Sequence, residues 1–240
     1  MERRGKGSNQ YRDRPPERPQ IPVSSGELRS ETNRIAKAGP LAVPQRIVGT
    51  LTKRDLSGMD LRDLLFVGTP AVHKVRFDHA DLSGHPGVVG TFTHCSFGEV
   101  VAPSANLDGF HVATMFAGAA FPLATLPSAT DSDFDGVNAE LAVGPRRNFD
   151  HTRWPGARLR GARFTQSTFR AADLSAAIDI EFATFRGCAY DQKTLFPSGY
   201  KPGEHGWMYL PYTDEEIVDL RELRAAAESG TMPPYGQSDG

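Results

Sequence analysis

From Ala157 to Leu174 the apolar and small residues recur every five positions: Ala157-Arg-Leu159, Ala162-Arg-Phe164, Ser167-Thr-Phe169, Ala172-Asp-Leu174. A small residue opens each pentad and a Leu or Phe sits two places later. Helices repeat at about 3.6 residues and strands at about 2, so neither accounts for a period of five. A fixed internal repeat marks a solenoid, in which each unit buries its apolar face against its neighbours.

The central apolar residues can be followed across most of the chain. They fall at Leu51, Leu56, Leu61 and Phe66, and resume after one extra residue at Phe77, Leu82, Phe92, Phe97, Leu107 and Val112, with weak members at Gly87 and Ala102. One residue is lost before Phe116, Phe121 and Leu126. Three are gained before Phe134 and Ala139, followed by Phe149, Trp154, Leu159, Phe164, Phe169 and Leu174. A last slip gives Phe185, Tyr190 and Leu195. The slips lie in Gly-, Pro-, Ser- and Ala-rich stretches, 67–74, 98–104, 127–131, 142–147 and 176–182, which predict bulges or loops.

Pentads such as Ala80-Asp81-Leu82-Ser83-Gly84, Ala105-Asn106-Leu107-Asp108-Gly109 and Ser132-Asp133-Phe134-Asp135-Gly136 resemble the pentapeptide-repeat family, and Ala189 to Pro197 resembles the way such repeats end. The resemblance covers roughly residues 42–202. It implies an all-β, right-handed quadrilateral β-helix of about seven coils, with one pentad per side and about twenty residues per coil. Alternate side chains of an extended segment share a face, so the central residue and the small residue before it both point inward. Residues twenty apart then stack, which predicts Arg153 over Asp173 and Asp150 under Arg170.

The flanks read differently. Residues 1–41 carry prolines and little apolar surface, and predict a disordered basic arm with a short helix over 25–37. In 203–240, Thr213 and Glu216 form a capping box ahead of an apolar stripe at Ile217, Leu220 and Leu223. A helix over 214–227 would either cap the last coil's open β edge or meet a second copy as a homodimer, before a loose tail.

The net charge of −2 conceals blocks: +4 over residues 1–45, −5 over 46–142, +4 over 143–200 and −5 over 201–240. No apolar run is long enough to span a membrane, and the opening Met1–Lys6 lacks a secretory leader's apolar stretch, so the cytoplasm is the expected location. Cys95 and Cys188 each open a pentad and are expected as separate buried thiols.

Candidate chemistry is sparse. His79, His94 and His111 fall at outward or corner positions, and none has metal-ligand spacing with a Cys or carboxylate. The aspartates beside central residues, among them Asp81, Asp133 and Asp173, suit turns in which the carboxylate accepts local amide protons. Neither catalysis nor a cofactor is expected. Arg153, Arg158 and Arg163 occupy successive pentads and point from different sides, a girdle rather than the coherent face that nucleic acid requires. Direct nucleic-acid binding is therefore not expected.

Two functions remain. One is a non-enzymatic scaffold that binds a protein partner, with Asp81, Asp133, Asp135, Arg146, Arg147, Arg158, Arg160 and Arg163 as candidate contacts. The other comes from the resemblance, whose quinolone-resistance branch mimics DNA and engages DNA gyrase. Duplex DNA carries a negative charge every ~1.7 Å, so a mimic needs a continuous acidic row. A mixed surface with an apolar patch favours the scaffold.

Overall fold

The computed structural model describes residues 46–232. The arm reading for 1–41 and the tail beyond 232 lie outside the described residues.

Residues 46–209 wind into a four-sided parallel β-helix. On its first side, β1 (Arg46–Thr52), β2 (Leu65–His73), β3 (Thr91–Thr93), β4 (Phe110–Val112) and β5 (Ser128–Thr130) pair in sequence order. Thr50, Ala71, Thr91, Phe110, Ser128, Asn148, Thr168, Ala189 and Met208 lie one above another on this side. Nine levels make eight turns rather than the expected seven, because Trp207–Tyr209 adds a turn by pairing with Cys188–Tyr190. At ~4.8 Å per level the rod is about 38 Å long.

Successive levels are 18 to 21 residues apart. Slips in the repeat are therefore absorbed by turns of different length, and stretches expected as loops are mostly strand. Residues 67–73 lie in β2, 128–130 form β5, and 142–147 hold β6 (Val143–Pro145), which pairs with β7 (Arg163–Thr165). Val101, within 98–104, is bridged to Asp81 and Ala120. The stretch 176–182 holds a 3-10 turn at Ile180–Phe182.

Of the central residues, Leu56 is half-buried, while Leu61, Phe66, Phe77, Leu82, Phe92, Phe97, Leu107, Phe121, Phe134, Phe149, Leu159, Phe164, Phe169, Leu174 and Phe185 are buried. Along the second side Phe77, Phe97, Phe116, Phe134 and Trp154 form a ring stack with centroid spacings of 4.5, 5.4, 4.7 and 4.0 Å. Stacked rings each add about 0.5–1.5 kcal/mol beyond area burial. Cys95 and Cys188 are free buried thiols, which burial pushes up to about 12 and about 11.

Three central positions differ from expectation, the first at the weak member Gly87, where the buried Val88 takes the inward place. The lost residue falls between Leu107 and His111, not after Val112, so His111 pairs with Phe92 and turns inward while Val112 turns out. A one-residue shift moves a side chain to the other face. The His111 ring lies parallel on Phe92, 4.4 Å away, and neither ring nitrogen has a hydrogen-bond partner. Burial alone pushes its pKa down to about 3. Near the end, Leu195 bridges outward against Asp173, and Phe196 takes the inward place.

The last coil is closed by Phe196, Tyr200 and Trp207. Trp207 stacks on Phe185 at 4.3 Å and donates its indole N–H to the Tyr200 hydroxyl at 3.0 Å. The C-terminal helix α1 (Asp214–Ser229) starts at the expected Thr213–Glu216 capping box and ends at Gly230, whose φ is 74°. It runs back along the flank of the rod instead of covering the last coil. Its sixteen residues span about 24 Å, the height of about five coils.

Candidate interaction surface

Each side presents an outward ladder. The second side reads Asp55, Arg76, Ser96, Met115, Asp133, Arg153, Asp173, Leu195; the third reads Asp60, Asp81, Val101, Ala120, Asn138, Arg158, Ile178. The fourth reads Asn106, Thr125, Val143, Arg163, Thr184 over its regular stretch. None of these rows is continuously acidic.

The aspartates of these ladders act within their own turns. Asp55, Asp60, Asp81, Asp133 and Asp173 each accept the backbone N–H two residues on. Asp60 also pairs with Arg62 at 2.6 Å, which holds its carboxyl down at about 2. Asp135 donates its backbone N–H to Asp133 and is exposed. Arg153 stacks on Asp173 in register, yet its guanidinium contacts Asp133 on the other side at 3.5 Å.

The helix flank is built differently. Asp150 lies under Arg170, Nη2 to Oδ2 3.0 Å, and both are buried. Arg170 also reaches Glu216 of α1 at 2.8 Å and sits 3.9 Å from the centre of the Tyr212 ring. Two coils away Arg224 grips Asp131 with two bonds, 2.8 and 2.5 Å. Between and beyond these latches, Leu223, Ala226, Ala227 and Met232 cover Phe110, Val112 and Ala113. Leu223 is thus packed on the rod's own flank, while Ile217 and Leu220 line a cleft beside it.

The diagonally opposite corner, where the third side turns into the fourth, has no cover among the described residues. The residues stacked along it are Gly84, Ser104, Leu123, Leu141, Gly161 and Phe182. Leu123 is 59% exposed, Leu141 53% and Phe182 53%. Leu123 and Leu141 have φ of 61° and 59°, the left-handed region that Gly adopts freely and a branched apolar side chain avoids. Leu141 lies down over Gly161, where a Cβ would come within 2.7 Å of its Cδ2. Beside Gly161 stand Arg158 on the third side and Arg163 on the fourth, both exposed and without an ion pair among the described residues. Arg160 lies between them, paired with Asp179 at 3.0 Å and stacked 4.3 Å over the Phe182 ring.

Of the eight expected contacts, the coil path brings Arg158, Arg160 and Arg163 to this corner. Asp81 lies at the acidic end of the third side, and Asp133 and Asp135 on the second. Arg146 meets Gln166 at 3.3 Å, and Arg147 is tied to Asp108 at 2.6 Å. The leucines were missed because only the central residues were followed. Leu at a turn position filled elsewhere by Gly or Ser was the readable signal.

Among the described residues, no group of three or more His, Cys, Asp or Glu side chains is placed to hold a metal ion. No described helix is long and apolar enough to cross a membrane.

A comparison with curated protein sequences returns no match. Among solved structures, the chain is similar to trypsin-treated QnrB1, a plasmid-mediated fluoroquinolone resistance protein, at 19% identity and a TM-score of 0.48, over 75% of this chain and 93% of that one. It is also similar to HetL, a pentapeptide repeat protein involved in heterocyst differentiation regulation from the cyanobacterium Nostoc sp. strain PCC 7120, at 14% identity and a TM-score of 0.29, over 70% and 90%. A pentapeptide repeat protein from the cyanobacterium Cyanothece 51142 aligns at 16% identity and a TM-score of 0.29, over 69% and 99%. The sequence profile of pentapeptide repeats matches residues 148–178 and 156–188 with eight copies. That match lies in coils whose four sides each carry one small–x–apolar pentad, so residues 148–188 carry the repeat of the pentapeptide-repeat family.

Proposed function

We propose that this chain is a non-enzymatic interaction scaffold whose docking surface is the corner bearing Leu123, Leu141 and Phe182. The observation that carries this reading is the exposure of two leucines in left-handed turns beside two arginines without an ion pair among the described residues. Strain of this kind costs roughly 1–2 kcal/mol per residue, and exposed apolar side chains return little of it. The surface suits a partner segment that pairs apolar side chains with carboxylates: the former over Leu123, Leu141 and Phe182, the latter between Arg158 and Arg163. Arg160, already stacked and paired, would hold Phe182 in place.

A second copy does not fit this corner through its acidic helix. Helix and corner lie on opposite flanks, so such a contact would repeat head to tail without closing.

The competing reading is a DNA-mimicking modulator of DNA gyrase or a topoisomerase. Asp60 stacked on Asp81, with Asp63 beside them, favours it at one end of the rod. Arg76, Arg153 and Arg158 interrupt the rows a mimic would need. Titrating the protein into a gyrase supercoiling reaction, with and without a quinolone, separates the two. The scaffold reading expects no effect at large excess; inhibition, or relief of drug-stabilised cleavage, would replace it with the mimic. For the scaffold itself, affinity capture should retain a partner that Arg158→Glu/Arg163→Glu releases. Equal retention by that variant would refute this surface.

A further inference from the structure

Helix α1 is seated tightly over Phe110 and Val112 but stands off the rod at its N-terminal half. There Ile217 and Leu220, which an amphipathic helix would press into its support, instead line a cleft of about 260 Å³ with Tyr212, His151, Arg221 and Lys193. Ile217 remains 36% exposed. The floor holds a buried polar atom with no hydrogen-bond partner, His151 Nε2, while the Tyr212 hydroxyl faces the Asp150 carboxylate. Buried polar atoms are rarely left unpaired, so one beside an uncovered apolar wall calls for a guest.

The charges lining the cleft are unequally engaged. Arg224 is committed to Asp131. Asp191 accepts the backbone N–H groups of Ala171, Lys193 and Thr194, and the Thr194 hydroxyl. Above the cleft, Arg170 is shared between Asp150 and Glu216. Lys193 and Arg221 line it with no ion pair among the described residues. His151 titrates below its usual range, through burial first and the neighbouring Arg224 next, so it is neutral and can donate or accept.

We infer that this cleft is a binding site for a small organic acid: a carboxylate or phosphate held by Lys193 and Arg221, with an apolar body between Ile217, Leu220 and the Tyr212 ring. His151 supplies the neutral polar contact that orients it. The site stands apart from the corner described above and does not depend on that surface binding anything.

The test follows the methyl NMR signals of Ile217 and Leu220 while benzoate, phenyl phosphate, inorganic phosphate or benzylamine is added to the full chain. Saturable shifts are expected with benzoate or phenyl phosphate, and whichever saturates first identifies the head group. Lys193→Gln/Arg221→Gln, at two exposed positions, should keep its melting curve and bind at least tenfold more weakly. Benzylamine should leave the signals unmoved. The proposal is overturned if neither organic anion shifts them in the millimolar range, if benzylamine matches the anions, or if the double variant binds as the parent does. Inorganic phosphate binding as tightly as phenyl phosphate would also overturn it, since the apolar wall would then contribute nothing.

Discussion

Two flanks of the same rod carry apolar side chains pointing outward, and they meet opposite fates. On one, Phe110 and Val112 are covered by Leu223, Ala226 and Ala227 of the returning helix and by Met232 just beyond it. On the other, Leu123, Leu141 and Phe182 are bare among the described residues. The covered flank has latches at two heights, Arg170–Glu216 and Arg224–Asp131, joining helix to rod. The bare flank has cations of the same kind, Arg158 and Arg163, with no acid opposite them among the described residues. The chain thus shows how an outward apolar patch on this rod is satisfied: an amphipathic segment whose apolar stripe is flanked by charges opposite to the rod's, Glu216 to Arg170 and Arg224 to Asp131. The bare corner carries the rod's half of such a contact.

The largest expected effect breaks the covered side. Arg170→Leu leaves Asp150 buried without its cation and removes the Glu216 latch, at a cost of about 3–5 kcal/mol. Denaturant unfolding would measure it, and exchange of the α1 amides should accelerate more than exchange in the rod. A loss under about 1 kcal/mol would mean that the helix is held by its apolar contacts alone.

Acid acts inside the rod between the two flanks. His111 ionises near 3 when folded and near 6.5 when unfolded, so its neutral form contributes full stability above about pH 6.5. As pH falls below that value the unfolded chain binds the proton first, and stability drops by about 1.4 kcal/mol per unit until pH approaches about 3. His111→Phe, which keeps a ring on Phe92, should remove this share of the slope. The measurement is urea unfolding of both proteins from pH 7 to 4; parallel slopes would contradict the buried neutral imidazole.

Smaller effects sharpen the bare side. Leu123→Asn replaces a strained leucine with a residue that tolerates φ near 60°, and should stabilise the rod by about 0.5–1 kcal/mol while weakening partner capture. A stabilising change that harms binding is the expected mark of a residue kept for function. Arg158→Glu/Arg163→Glu should shift stability by no more than about 0.5 kcal/mol, since both side chains are exposed.

Much of the rod was legible because a five-residue rhythm admits few structures. The Leu and Phe centres, the Asp turns, the Asp150–Arg170 stack and the capping box at Thr213 all follow from local spacing. Three features did not. His111 displaced Val112 because composition cannot say on which side of a pentad a residue is dropped. Helix α1 lies along the flank because its amphipathic stripe specifies that something apolar is met, without specifying what; Phe110 and Val112 became outward only after the same shift. The bare corner escaped notice because its leucines occupy turn positions, outside the core pattern.

Site-specific photo-crosslinking tests the contrast between the flanks most directly. A benzophenone side chain placed at position 141 is compared with one at Val218, on the outer face of α1, in the native cell. The account predicts one discrete cross-linked partner from position 141, lost when Arg158→Glu/Arg163→Glu is added, and none from position 218. A partner captured equally from both positions, or from 218 alone, would contradict it.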